Sequence, residues 1–326
     1  MRNVHNRLII DKASQLGMEC GLLIPGCEDF LELTYKGKTI IINKTRSHRM
    51  TLMAGLLAKD KQASNLLLRR SGLPVPDDIV VSELSGEAFS FLHTHRQVTV
   101  KPLDSSRSAG VTVGVSSETE LTQAFRTAGE HSDRVMIQRN VEGLDYRVLV
   151  IAGQAIGALE YQPAYLTGDG RSTVEQLIRR LNEEQRRRNP ITDFDSFKPV
   201  RTESDELLAC LKQQGKALED VLDRGEQVQL FATANALAGE ISEVVTDKTA
   251  HIHPLSLQMA VEAAAALQID VAGIDIRCRN ISEPLGGDNG GILEVNALPD
   301  MIDPHLYLQN ASADAIAAYL HYLFED

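Results

Sequence analysis

The stretch "GGILEVNALPD", residues 290–300, sets Glu294 and Asn296 on alternate positions of an apolar run. A strand sends residues i and i+2 to one face. A carboxylate and a carboxamide therefore point the same way out of a segment otherwise suited to burial. Burying an unpaired charge is costly, so either that face is solvated or a cation sits on it. Upstream, "VAGIDIRC" (271–278) places Asp275 in a second apolar run. If the two runs are adjacent antiparallel strands, Asp275, Glu294 and Asn296 form an oxygen set suited to Mg2+ or Mn2+. Such ions retain waters and take phosphate oxygens as further ligands. In the competing reading Asp275 ends an edge strand and Glu294 is half exposed, with no metal. Spacing alone leaves both open.

Bulk properties narrow the partners. The chain has 326 residues, enough for two or three packed units, with 43% hydrophobic and 24% charged residues and no tryptophan. Net charge is −12 and the pI about 5.3. That balance excludes an extended nucleic-acid footprint, which needs a basic surface, but leaves room for a small basic cleft that holds a nucleotide. Cys20, Cys27, Cys210 and Cys278 are scattered without zinc-ligand spacing and read as reduced thiols. The N-terminus "MRNVHNRLIIDKAS" has no long apolar run, and no segment of ~18 apolar residues occurs. The expectation is a cytoplasmic protein that does not engage a membrane, with a homodimer as the default assembly.

Along the chain, "MECGLLIPG" and "FLELTYKGKTIIINK" read as strands, the latter turning at Lys36-Gly37, within a small α/β lead-in over residues 1–55. One helix is expected over "HRMTLMAGLLAKDKQASNLLLRRSG", stopped at Gly72 with Pro74 and Pro76 beyond. Strand–helix alternation follows. "DDIVVS", "QVTVKPL", "GVTVGV", "RVMIQRNV" and "DYRVLVIAGQAIGALEY" are strands, the last folding back at Gly153. "SETELTQAFRTAGE" is a helix capped by Ser117 with Glu120 three residues on. "TVEQLIRRLNEEQRRRN" is an amphipathic helix whose run Arg186–Arg188 reads as a solvated end, and a polar stretch to about residue 200 follows. The last third holds "QVQLFATAN", a helix "SLQMAVEAAAALQI" and the two strands of the opening argument.

Further residues carry possible chemistry. In "QVTVKPLDSSRSAGVTVGV", Lys101 ends an apolar strand before a small-residue loop whose N–H groups can cradle a phosphate. No Walker-type or GxGxxG fingerprint occurs, and a surface lysine beside a flexible hairpin loop is the competing reading. Lys61 lies near a helix start. Asp145 and Arg147, in "QRNVEGLDYRVLV", sit around a turn between strands, where an acid can accept from a ribose hydroxyl and an arginine can clamp phosphate or carboxylate. Their alternative is a surface ion pair with each other. Ser64, Ser105, Ser106 and Ser108 have no nucleophile-elbow context, and His251 and His253 read as loop residues.

Taken in order, "DKQASNLLLRRSGLPVP", "VTVKPLDSSRSAGVTVGV", "EGLDYRVLVIAG", "TGDGRSTVEQLI", "TANALAGEISEVVTDKTAHIHP" and "GIDIRCRNISEPLGGDNGGILEVNALP" resemble the ATP-grasp superfamily of ADP-forming carboxylate–amine ligases. The ATP-grasp portion of cyanophycin synthetases is similar from about residue 55 to 310. The resemblance implies an ATP-grasp fold, α/β (α+β), with two α+β subdomains gripping ATP behind the lead-in. It implies an ATP-grasp domain over residues 56–326, with a lid-bearing nucleotide subdomain at about 75–140 and a metal- and substrate-binding subdomain at 141–326. Lys61 and Lys101 are then the ATP-phosphate lysines, and Ser105, Ser106 and Ser108 to Gly110 the loop over the γ-phosphate. Gln138, Arg139 and Val141 form the adenine hinge through backbone groups, with Asp145 on the ribose. Asp275, Glu294 and Asn296 hold Mg2+ or Mn2+, while Arg147, Arg277 and Arg201 hold substrate carboxylate or the transferring phosphoryl group.

The implied reaction phosphorylates a carboxylate with ATP and lets an amine displace phosphate, chemistry that depends on positioning and charge neutralisation. Departures are specific. Gln138 stands where the family usually has an acid, the loop "DSSRSAG" is poorer in glycine, and "ALPDMIDPHLYL" and "LFATANALAGE" lack basic residues of the family pattern. These departures fall mainly on the acceptor side. With a short lead-in and no Mur-ligase-like half, the expectation is a stand-alone ligase joining amino acids or small acid and amine substrates, as in specialised peptide-like metabolites. The alternatives are a small-molecule kinase on the same fold and a non-catalytic nucleotide-binding protein.

Overall fold

A computed structural model describes residues 3–104, 109–188, 199–231, 243–299 and 314–325. Helix α1 (Val4–Gln15) is capped by Asn3, whose side chain accepts from the Asn6 N–H. It lays Leu8, Ile9 and Ala13 on a sheet of β1 (Glu19–Ile24), β2 (Cys27–Tyr35) and β3 (Lys38–Ile42). In β2, Leu31 and Leu33 are buried while Glu32 between them is exposed, the period-2 pattern of a one-sided strand. The β2–β3 turn places Lys36 and Gly37 at positive φ, 51° and 79°.

The single helix expected over residues 48–72 is two helices, α2 (Leu52–Lys59) and α3 (Lys61–Arg70). Asp60 breaks them. Its backbone is extended, and its carboxylate accepts from the Ala63 N–H, so it caps α3 instead of continuing α2. Aspartate competes with helical geometry through this local bond, and apolar periodicity does not register it. The break places Lys61 at the first position of α3. Asp60→Ala is expected to lower stability by about 1 kcal/mol, read as a shifted urea midpoint at unchanged slope; an unmoved midpoint would refute the cap's role.

Beyond α3, β4 (Asp78–Val81), β5 (Val98–Pro102), β6 (Thr112–Val115) and β7 (Val135–Arg139) form a sheet in the order β4-β7-β5-β6. Helices α4 (Gly86–His95) and α5 (Glu118–Gly129) bury Ala88, Leu92, Leu121, Ala124 and Ala128 against it. The Ser117–Glu120 capping box that starts α5 is present in both directions. A larger sheet joins β8 (Leu144–Ile151), β9 (Gln154–Pro163), β12 (Glu243–Asp247), β13 (Val271–Cys278) and β14 (Gly290–Asn296) in the order β12-β9-β8-β13-β14. Every pairing in both sheets is antiparallel, which makes the class α+β.

Helix α8 (Pro254–Ala266) covers one face of the larger sheet with Ala260, Ala263 and Ala264, small enough for close approach. Its N-cap is His253, whose Nδ1 accepts from the Leu255 N–H, so this histidine has a structural task. A smaller unit packs β10 (Tyr165–Thr167) and β11 (Gln227–Gln229) with α6 (Val174–Arg188) and α7 (Asp205–Gln213). Helix α9 (Ala315–Phe324) returns to the N-terminal sheet, and Ile316, Tyr319 and Leu320 share a core with Leu31, Leu33, Leu149 and Val271. The lead-in is thus cored jointly with the last helix and one end of the larger sheet. The side chains of Arg186–Arg188 lie outside the described residues. All four cysteines are free thiols, and among the described residues no helix is long and apolar enough to cross a membrane.

Candidate active site

Strand alternation divides the larger sheet into two faces. On β13, Ala272, Ile274, Ile276 and Cys278 enter the core beneath α8, and Cys278's thiol is pushed up to about 12 by burial. Gly273, Asp275 and Arg277 take the opposite face. Strand β14 would not match this face by simple alternation, because Ile292, Glu294 and Asn296 are all two apart. A bulge resolves the conflict: Asp275 pairs with Glu294 but Ile276 pairs with Ile292, leaving Leu293 as the extra residue. Ile292 and Val295 therefore both reach the core, while Glu294 and Asn296 share a face with Asp275.

On that face four charges alternate in sign across two strands. Asp145 of β8 stands opposite Arg277 of β13, and Arg147 stands opposite Asp275. Arg147 grips Asp275 with both arms, Nε to Oδ1 at 2.6 Å and Nη2 to Oδ2 at 2.9 Å. Arg277 Nη1 donates to both Asp145 oxygens at 3.1 and 3.0 Å. Asn296 Nδ2 donates to Asp275 Oδ2 at 2.8 Å. Gly273 makes room for this packing, since a Cβ there would lie 3.2 Å from Arg147 Cδ and 3.0 Å from Pro299 Cβ. Burial lifts the Asp145 carboxyl above the usual aspartate range, opposed by Arg277 and assisted by Asp275.

Two lysines complete the charge pattern. Lys61 Nζ lies 3.4 Å from Glu294 Oε1. Helix α3, which carries Lys61, is tied to β4 through Asp78, whose carboxylate accepts from Asn65 Nδ2 at 2.6 Å and also takes Arg69. Lys101, on β5, donates from Nζ to Gln138 Oε1 on β7 at 3.0 Å. Its ammonium is held at about 8 instead of the usual 10.5, chiefly by burial, with Lys61 adding to the lowering and Glu294 opposing it. Gln138 is itself buried, and its Nε2 has no partner among the described residues. The N–H groups of Arg139 and Asn140 donate to the Asp77 and Gln97 carbonyls, and Val141 is buried. Gly110 (φ +72°) sits against His131 and Pro102, where any Cβ would clash.

Comparison with known proteins fits this frame. Residues 74–186 match the family model for the prokaryotic glutathione synthetase ATP-grasp domain. The structure of a bifunctional glutathione synthetase from Pasteurella multocida superposes at a TM-score of 0.70 with 20% identity, covering 98% of this chain and 44% of that one. The chain has the ATP-grasp fold. Among curated proteins, a cyanophycin synthetase of Geminocystis herdmanii is 33% identical over 273 residues, covering 82% of this chain and 30% of that protein. The glutathione biosynthesis bifunctional protein GshAB of Clostridium perfringens is 27% identical over 297 residues, 90% of this chain and 37% of its own length. The chain thus spans about a third of the length of the curated relatives it matches.

The ATP-grasp core brings Asp275, Glu294 and Asn296 onto one face beside Arg147, Arg277, Asp145 and Lys61, with Lys101 within electrostatic reach of Glu294. One expectation is corrected. Asp145 and Arg147 are not around a turn and do not pair with each other; both lie within β8, two positions apart on one face, and each pairs across to β13. The turn lies earlier, at Gly143, where a Cβ would come within 2.0 Å of the Cys278 carbonyl oxygen. Ser105, Ser106 and Ser108 fall outside the described residues, as do most of "ALPDMIDPHLYL" and "LFATANALAGE". Sequence reasoning missed Asp78, Asn65 and Arg69, which fix Lys61's helix; a buried aspartate satisfied by two distant side chains has no local sequence signature.

The donor set fits a divalent ion that arrives with phosphate oxygens. It comprises two carboxylates and a carboxamide oxygen on one strand pair, an all-oxygen set. Among the described residues there is no cluster of three His, Cys, Asp or Glu side chains able to hold an ion by itself.

Proposed function

We propose that this chain is an ATP-dependent, ADP-forming ligase that joins a carboxylate to an amine through an acyl phosphate. The observation carrying this reading is the meeting of Arg147 and Arg277 with Asp145, Asp275 and Glu294 on one sheet face, with Lys61 of α3 at Glu294 and Lys101 of the neighbouring sheet within electrostatic reach of it. Four cations against three carboxylates suit a polyanionic substrate. In this reading Lys61 and Lys101 hold the nucleotide phosphates, Gln138 to Val141 line the base, and Asp145 faces the ribose. Asp275, Glu294 and Asn296 would hold Mg2+, which supplies charge neutralisation for the transferring phosphoryl group.

A substrate carboxylate oxygen attacks the γ-phosphorus and ADP leaves. The amine nitrogen then attacks the acyl carbon, phosphate leaves, and the nitrogen loses a proton. Arg147 is the residue placed to change partners. Its guanidinium holds Asp275 in the free protein and is a planar donor matched to carboxylate or phosphoryl oxygens. Arg277 and Arg201 are the other candidates for holding substrate anions. The substrates proposed are amino acids or small acids and amines.

The test is a screen of carboxylate–amine pairs for ADP and phosphate release, with mass spectrometry of the products. A ligase releases both products together, requires both partners, and yields the amide mass. Full ADP release with a carboxylate alone, and a stable phosphorylated product, would establish a kinase instead. Tight nucleotide binding with no turnover on any pair would establish a non-catalytic binder.

A further inference from the structure

Gln138 has one arm of its amide paired and the other without a partner among the described residues. The Lys101 ammonium has only hydrogens to offer, so the amide oxygen must face it, and this fixes which way the side chain is turned. Nε2 is thereby directed away from Lys101. It is buried, with no acceptor among the described residues, in a side chain only 3% exposed. A buried N–H without an acceptor is costly, and such groups in folded proteins mark places where something else supplies the acceptor.

Gln138 is held from both sides in the middle of its sheet. It pairs with Asp78 of β4 and with Thr99 of β5. The Asp78 carboxylate is occupied by Asn65 and Arg69, and the Thr99 hydroxyl donates to Asn140 Oδ1 at 3.0 Å. Neither neighbour in the sheet therefore supplies the acceptor for Nε2. Resting on the nucleotide-site reading above, which sets residues 138–141 against the base, we propose that Gln138 makes this site accept a 6-oxopurine nucleoside triphosphate at least as well as ATP. The amino group of adenine at position 6 is a donor. It can share the Gln138 oxygen with Lys101 but leaves Nε2 unpaired. The 6-oxo group of hypoxanthine or guanine is an acceptor and pairs with Nε2 directly. A glutamate at position 138 reverses the preference, because its oxygens accept from both Lys101 and an amino group and repel an oxo group.

Inosine triphosphate and ATP isolate the effect, because they differ at position 6 and the adjacent ring nitrogen alone. Their dissociation constants are measured by calorimetry on the full chain with Mg2+, for the natural protein and for Gln138→Glu, with circular dichroism to verify folding. The expected result is inosine triphosphate binding within threefold of ATP or tighter, and a shift of tenfold or more toward ATP in Gln138→Glu. If the natural protein binds ATP more than threefold tighter than inosine triphosphate, the inference is overturned while the nucleotide site stands. Should neither triphosphate bind, the nucleotide-site reading fails and this inference with it. The ratio in the natural protein decides even if the variant does not fold.

Discussion

Asp275→Asn is expected to lower turnover in the proposed ligase reaction by about a thousandfold, the scale of losing a preorganised charge at a phosphoryl-transfer centre. The carboxylate has two tasks that an amide cannot share. In the free protein it is the counter-ion of Arg147, gripped at 2.6 and 2.9 Å and braced by Asn296 at 2.8 Å. In the loaded protein it is the central member of the proposed metal set, with Glu294 directly across the strand pair. The substitution keeps shape and removes charge, so Arg147 loses its partner at a half-buried position, and stability falls by about 1–3 kcal/mol.

The same geometry predicts an order of events. A cation arriving alone must displace a bidentate guanidinium from Asp275. One arriving with nucleotide phosphates brings new acceptors for Arg147 at the same time. Mn2+ is therefore expected to bind weakly to the free protein and at least tenfold tighter when nucleotide is present, whereas Arg147→Met raises affinity for Mn2+ alone. Electron paramagnetic resonance titration of free Mn2+ measures both. Turnover of Asp275→Asn within tenfold of the natural protein would remove Asp275 from the centre.

How much of this was legible in the sequence depends on how local each determinant is. The shared face of Asp275, Glu294 and Asn296 was legible, because two apolar runs with polar residues at matching parity leave few ways to pair. The reason it works was not. Period 2 would have put Ile292 on the same face, and only the Leu293 bulge sends it to the core, a choice made by packing against Ile276 and not by any turn residue. Helix α5 announced itself through Ser117 and Glu120. Helices α1, α4 and α7 went unread: their apolar stripes are short, and the surfaces they cover belong to distant segments. Asp60 shows the opposite failure, where a continuous helical pattern concealed a cap. Partner choice was the least legible. Asp145 and Arg147 are two apart in sequence, yet each pairs with a residue of another strand more than a hundred positions away.

Lys101→Met is expected to abolish productive nucleotide binding and to stabilise the free protein. Burial lowers the Lys101 ammonium from 10.5 to about 8, which sets a ceiling of about 3 kcal/mol on the unfavourable term it contributes. Two effects reduce the gain: Lys101 keeps partial access to water, and methionine leaves the Gln138 oxygen without its donor. The net gain is about 1–2 kcal/mol, or about 2–5 °C in Tm. Its pH dependence has a definite sign. Below about 8 both folded and unfolded chains carry the charge, and the folded state bears the full desolvation cost. Between about 8 and 10.5 the folded chain sheds the proton while the unfolded chain keeps it, so Lys101's unfavourable contribution shrinks and vanishes above 10.5. The Tm advantage of Lys101→Met is therefore largest below pH 8 and closes through that window. Nucleotide affinity of the natural protein runs the other way, weakening above pH 8 as the free site loses a positive charge. A variant less stable than the natural protein at pH 7, or a Tm gap independent of pH, would show that Lys101 is not held against its own burial for the sake of the ligand.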